Sequence, residues 1–220
     1  ARRVDKMNES YDAITVRPVD SSIGVNISVE KAFAAYENGT PIPEIAEHFA
    51  DAVEKGFRES PQVDLESISD YEQMKSKLSM EVVSAEKNAE LLESVPHERM
   101  EDMAVVYRFV LDQTDSGNGT ILVTNQLLDQ YGITKEQLRA DAMENAPEIR
   151  PSEIRGMSEV MSELAPGLIP EVAPEDEQMF VATVPDKIHG AGVIAYPNFM
   201  EDAAEKMGGD FFVLPSSIHE

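Results

Sequence analysis

The chain has 220 residues, with 42 Asp and Glu against 18 Lys and Arg for a formal net charge of −24, 42% hydrophobic residues, and no Cys or Trp. The missing Cys excludes disulfides, a thiol nucleophile and any Cys-ligated zinc or iron–sulfur cluster. So negative a surface repels phosphate backbones and anionic lipid, so neither nucleic acid nor membrane is expected as a partner.

The acid excess is spread along the chain. Residues 1–60 carry 11 acids and 7 bases, 61–113 carry 12 and 5, 114–177 carry 13 and 4, and 178–220 carry 6 and 2. No block of five or more like charges occurs, which reads as a solvated surface rather than an acidic tail. The apolar runs, such as Met103–Val106 and Phe211–Leu214, are a few residues long against the roughly 20 a membrane span needs. Residues 1–12 are polar with no apolar h-region, so no signal peptide is expected and the cytoplasm is the expected location.

In chain order, Ile14–Val19 and Ile23–Val29 alternate apolar and polar residues around Asp20-Ser21-Ser22, which predicts a β-hairpin. Ala32, Phe33, Ala35 and Tyr36 lie at helical spacing before a stop at Asn38-Gly39. A second helix follows, capped by Thr40, with Pro43 in its first turn and Ile45, Phe49, Ala52, Val53 and Phe57 on one stripe. Ser69 or Asp70 caps a short helix bearing Tyr71, Met74 and Leu78; Met80–Ser84 reads as a strand and Lys87–Leu92 as a helix. Met103–Leu111, a Gly/Asn turn at 115–119 and Ile121–Thr124 predict an antiparallel pair. Helices are expected over Gln126–Tyr131, ending at Gly132, and over Thr134 to Ala146, with Thr134 and Gln137 as a capping box.

After a loop, a helix is expected around Met157–Leu164. The cluster Glu175-Asp176-Glu177, following Pro166, Gly167, Pro170 and Pro174, reads as a linker or loop. Met179–Val184 and Ala191–Ala195 read as short strands. A helix led by Pro197 carries Phe199, Met200, Ala203, Ala204 and Met207 and stops at Gly208-Gly209, and Phe211–Leu214 reads as a last strand. Without regular βαβ alternation, the fold class is α+β, with mainly antiparallel strands and flanking helices. The expected division is an N-terminal α+β region over 1–95 and a C-terminal one over 96–220, or one unit formed from both.

No complete catalytic signature is present: the chain has no GxSxG, GxxxxGK[ST], GxGxxG or HExxH. In Pro96-His97-Glu98-Arg99-Met100-Glu101-Asp102, His97, Glu98 and Glu101 are the only close set of non-Cys metal ligands, and on a helix His97 and Glu101 would share a face. A zincin needs His at that second position, so no metal is expected. The plainer reading gives His97 and Arg99 structural hydrogen bonds beside the long strand. Leu214-Pro215-Ser216-Ser217-Ile218-His219-Glu220 sets two hydroxyls and an imidazole just past an apolar stretch. Such positions gather sites, yet a serine nucleophile also needs a base and an oxyanion hole, and a turn with backbone-bonded hydroxyls explains the pattern equally. His48 and His189 carry less signal, and the 11 Met residues fit core packing.

Several phrases resemble a known family: Tyr36-Glu37-Asn38-Gly39, Glu86-Lys87-Asn88-Ala89-Glu90-Leu91-Leu92, Val95-Pro96-His97, Asp102-Met103-Ala104-Val105-Val106-Tyr107 and the Leu214–Glu220 motif. Together they are similar to a domain-of-unknown-function family numbered 5688, common in anaerobic Gram-positive gut bacteria. Its members tend to run past the final His-Glu into another apolar strand, so the resemblance implies a chain trimmed at both ends. Thr124 to Asn145 also resembles, more weakly, the bacterial YtpQ-type family. Neither resemblance supplies an activity. The first does imply one bacterial α+β unit and draws His97, Arg99, Asn125, Ser216, Ser217 and His219 toward a functional surface, although Asn125 equally suits a helix N-cap.

The leading expectation is a non-enzymatic α+β protein, without cofactor, that binds a protein partner or small ligand through a groove near the strand ends, with Arg99 and Asn125 as ligand-binding candidates. The alternative is a hydrolase or metal-dependent enzyme using His97 with Glu98 or Glu101, or Ser216 or Ser217 with His219. A less favoured alternative is an acidic DNA mimic that occupies a basic protein.

Overall fold

A computed structural model describes residues 2–6, 9–17, 24–59, 65–114, 117–167, 172–173, 176–214 and 216–218. Two units form, one from residues 1–63 with 112–119 and the other from 64–111 with 120–220.

In the first unit, β1 (Arg2–Lys6), β2 (Glu9–Val16) and β3 (Val25–Ser28) make an antiparallel sheet in that order. The expected hairpin is β2–β3, with Val16 opposite Val25 and Ala13 opposite Ser28; its turn at Asp20-Ser21-Ser22 lies outside the described residues. Thr15 donates across the pair to Asn26 at 2.6 Å, on the register row the two share. Helix α1 (Val29–Glu37) contacts β2 and α2 (Ile42–Glu59) contacts β3. Gly39, at φ 88°, ends α1 in the left-handed region as the Asn-Gly stop requires. Gly56 lets α2 approach β3, since a Cβ there would meet Val25 Cγ1 at 2.8 Å.

The second unit holds α3 (Leu65–Ile68), α4 (Tyr71–Met74), β4 (Leu78–Ser84), α5 (Ala89–Ser94), β5 (His97–Met100), β6 (Met103–Thr114) and β7 (Gly117–Leu122), the tip of β6–β7 falling in the first unit's residues. After them come α6 (Asn125–Tyr131), α7 (Lys135–Ile149), β8 (Glu153–Gly156), α8 (Met157–Leu164), β9 (Phe180–Thr183) and α9 (Phe199–Met207). The sheet order is β4-β6-β5 with β7 also on β6, and β8 pairs β9 antiparallel. This is the expected α+β class. Helix α7 packs on β4, and its Leu138, Ala142 and Ala146 join Met80, Val82, Val105, Tyr107 and Phe109 in one core. That core is the alternate-residue face of each strand, as the period of two demands. Tyr131 closes it, 5.3 Å from Tyr71 and edge-on to Phe109 at 6.1 Å.

Several local expectations change. Leu78 opens β4 instead of ending the short helix, because a 3-10 turn at Lys75–Lys77 closes that helix early. Asp70 is its cap, accepting from Glu72 N at 3.0 Å. Thr124, not Asn125, caps α6, accepting from Leu127 N at 3.1 Å. Half of the capping box forms: Thr134 accepts from Gln137 N at 3.2 Å, while the Gln137 side chain turns to Asp141. Residues 191–195 are a 3-10 helix over Gly190–Ala195, not a strand. Gly192 there lies so close to the β4 backbone that a Cβ would come within 2.3 Å of Met80 O, and that contact overrides the local β-propensity. Phe211–Leu214 forms no strand, and Phe212 and Leu214 are exposed.

Candidate functional site

Directly opposed residues of a sheet share a face. The registers therefore put Ser79 and Arg108 on one face, with Glu81, Val106 and His97 in the next row and Val83, Ala104 and Arg99 in the third. Helix α7 covers the other face. Glu81 is the unusual member of this second face, which is itself buried at Ser79, Val83, Ala104 and Val106: a carboxylate whose side chain is only 3% exposed in the middle of a strand. A buried charge needs partners. Arg108 supplies one diagonally across the pair, Nε to Glu81 Oε2 at 2.7 Å, and its Nη1 also donates to Thr120 at 3.2 Å. The loop after β9 supplies the other: His189 Nδ1 stands 3.5 Å from Glu81 Oε1, with 27% of its side chain exposed.

That loop is strained and tethered. Lys187 and His189 have φ of 56° and 54°, a left-handed backbone that non-glycine residues adopt at a cost. Buried Arg150 holds it, pairing with Asp186 Oδ1 at 2.7 Å and donating to Ile188 O. Tyr196 donates to Arg150 O at 2.9 Å, and burial pushes its hydroxyl up to about 12. The C-terminal segment joins the same place, where Ala191 N donates to Ile218 O at 3.2 Å.

The sequence-derived candidates divide accordingly. Ser216 and Ser217 are exposed beside the 189–191 turn, while His219 lies outside the described residues. His97 shares Glu81's register row two strands away, roughly 10 Å at the usual strand spacing. Its ring lies 3.1 Å from Val95 O. Arg99 is exposed on the same face. Asn125 donates to Glu93 O at 3.1 Å, joining α6 to the end of α5. Glu98 turns to the α7 side, bonded by Arg139 at 2.9 Å and approached by Tyr107 at 3.5 Å; burial first, then Glu98, pushes the Tyr107 hydroxyl up. Because 97–100 is strand and Glu101 lies in the turn that follows, the helical face that would join His97 to Glu101 does not form. No group of three His, Asp or Glu residues able to hold a metal ion occurs among the described residues. Sequence reasoning passed over Glu81 and Arg108 and gave His189 little weight. The available signal was Glu81 itself, an acid inside the apolar run Met80–Val83.

The first unit offers a different feature, a groove of about 710 Å³ between β3, α1 and α2. Val25, Ile27, Ala35, Ile45, Phe49 and Ala52 give it apolar walls, and Lys31 and His48 stand among its lining residues. Phe33, at 58% exposure, Tyr36 and Ile42 are exposed on the same two helices.

The fold and its two features define an α+β protein with an antiparallel sheet and a buried Glu–Arg–His cluster. The chain belongs to the Family of unknown function (DUF5688), whose model matches residues 1–220. No curated protein and no solved structure matches it. The likeness of 124–145 to the YtpQ-type family is not shown by these comparisons.

Proposed function

We propose that the chain is a binding protein for a small amphipathic molecule, held in the groove of the first unit. The observation that carries this reading is the groove itself. Its roughly 710 Å³ lies in the range of small-molecule sites, about 300–1,000 Å³, and its lining has their composition, apolar walls with a few polar groups. The ligand's apolar body would lie on Val25, Ile27, Ile45 and Phe49, and its polar end would meet Lys31 or His48. Each Å² of apolar surface removed from water contributes about 25 cal/mol, so a body of a few carbons supplies most of a micromolar affinity. The same proposal sets the protein in the cytoplasm of a bacterium, which cell fractionation tests.

Titration with the neutral dye Nile red tests the binding. Saturable, blue-shifted fluorescence is expected, weakened about tenfold or more by Ala52→Trp, which fills the groove from an exposed position and leaves circular dichroism unchanged. Absence of saturation, or equal binding by the filled variant, overturns the reading.

A further inference from the structure

We propose that the ligand of the first unit's groove is an amphiphile with an anionic head, as a straight-chain carboxylate is, and that Lys31 is the residue that pairs with that head. The proposal rests on the reading of the groove as a small-molecule site and adds the chemical class of what fills it. Both helices present the groove with one face at the i, i+3, i+4, i+7 spacing. From α1 and its N-cap these residues are Ser28, Lys31, Ala32 and Ala35. Ile45, His48, Phe49 and Ala52 repeat the spacing on α2. The i+3 place of each stripe is thus a basic side chain among small or apolar ones. The acids of α2, Glu44, Glu47, Asp51 and Glu54, are not among the lining residues. Glu30 is, but at 3.6 residues per turn it falls about 160° round α1 from Ser28, off the stripe.

Two further observations place the head at the start of α1. Lys31 enters no ion pair among the described residues, so a ligand carboxylate does not have to displace a partner. Ser28, the N-cap of α1, makes no capping bond with its side chain, so its hydroxyl and the first-turn N–H groups are not engaged with each other. The N-terminal end of a helix is also its positive end, which favours an anion. The head therefore meets Ser28 and Lys31, while the chain lies along Ala35, Ile45 and Phe49. The net charge of −24 opposes any anion at long range, but at 0.15 M salt exposed charges beyond about 8 Å are largely screened and the nearby lysine decides.

Competition against Nile red in the full chain, at about pH 8 where lysine is charged and histidine neutral, tests the class. Decanoate should displace the dye at a concentration roughly three- to fivefold lower than 1-decanol, the advantage one exposed ion pair supplies, and decyltrimethylammonium should be the poorest competitor. Lys31→Met keeps the length of the side chain without its charge and should bring decanoate to the level of 1-decanol, with Nile red binding unchanged; Lys31→Arg should restore the preference. Both variants are at an exposed position, and unchanged dye binding shows that the groove is intact. Equal displacement by decanoate and 1-decanol, a preference for the cation, or a decanoate preference that survives Lys31→Met overturns the proposal. Those results leave the groove reading standing if Nile red saturates. No saturable binding of the dye, with no heat of decanoate binding by calorimetry, overturns both.

Discussion

The two units use their residues in opposite ways. The first leaves apolar side chains half covered around an open groove, and its α1 has no buried residue. The second buries its apolar residues under α7 and commits a charged cluster, Glu81 with Arg108 and His189, to the other side of the sheet. Exposed apolar surface contributes little to stability and is available for binding, whereas a buried ion pair is costly to disturb. Stability and ligand affinity should therefore respond to mutation in different units.

The largest effect expected is at Arg108. Replacing it with Met strands the Glu81 carboxylate and should cost about 3–5 kcal/mol in urea denaturation, the usual penalty for breaking a buried pair. The double variant Glu81→Leu/Arg108→Met should recover most of that loss, because a volume-matched apolar pair carries no desolvation cost. If the double variant is as unstable as the single one, burial of charge is not what the cluster contributes. Gly192→Ala comes next, at about 3 kcal/mol, because its Cβ would meet backbone at 2.3 Å and nothing there can yield like a flexible side chain.

How far the sequence told these two regions apart depends on the interaction involved. The hairpin at β2–β3, helices α2, α6 and α7, and the long strand β6 follow from periodicity and caps, which are local. Misreadings fell where tertiary contact decides. Ala191–Ala195 has the composition of a strand, yet Gly192 pressed on the β4 backbone makes it a 3-10 helix. His97–Met100 lacks a strand pattern and becomes β5 by pairing with β6. The proximity of His189 to Glu81 spans 108 positions and leaves no spacing to read.

A pH titration separates the two units further. Tyr196 sits at about 12 in the folded chain against an ordinary 10.0, because burial disfavours the phenolate. A folded value raised above the unfolded one favours folding fully below pH 10 and loses that contribution as pH rises toward 12. Tyr71 and Tyr107 are shifted in the same direction by burial and by Asp141 and Glu98. Unfolding of the second unit should therefore steepen above pH 10, and Tyr196→Phe should soften that dependence. An alkaline profile identical in Tyr196→Phe and wild type would show that this hydroxyl is not protected.

The smallest stability effects are expected on the helices of the first unit. Phe33 is 58% exposed on α1, so Phe33→Ser removes little buried area and should shift unfolding by about 0.5 kcal/mol or less. Ile45→Ser, inside the groove, removes an apolar wall and should weaken Nile red several-fold while costing only about 1 kcal/mol, since that residue is half-buried. The pair separates two uses of the same helices. If Phe33→Ser destabilises by more than about 2 kcal/mol, its ring is part of the unit's own core. The groove would then be an extension of that core, and the contrast between an open first unit and a closed second one would fail.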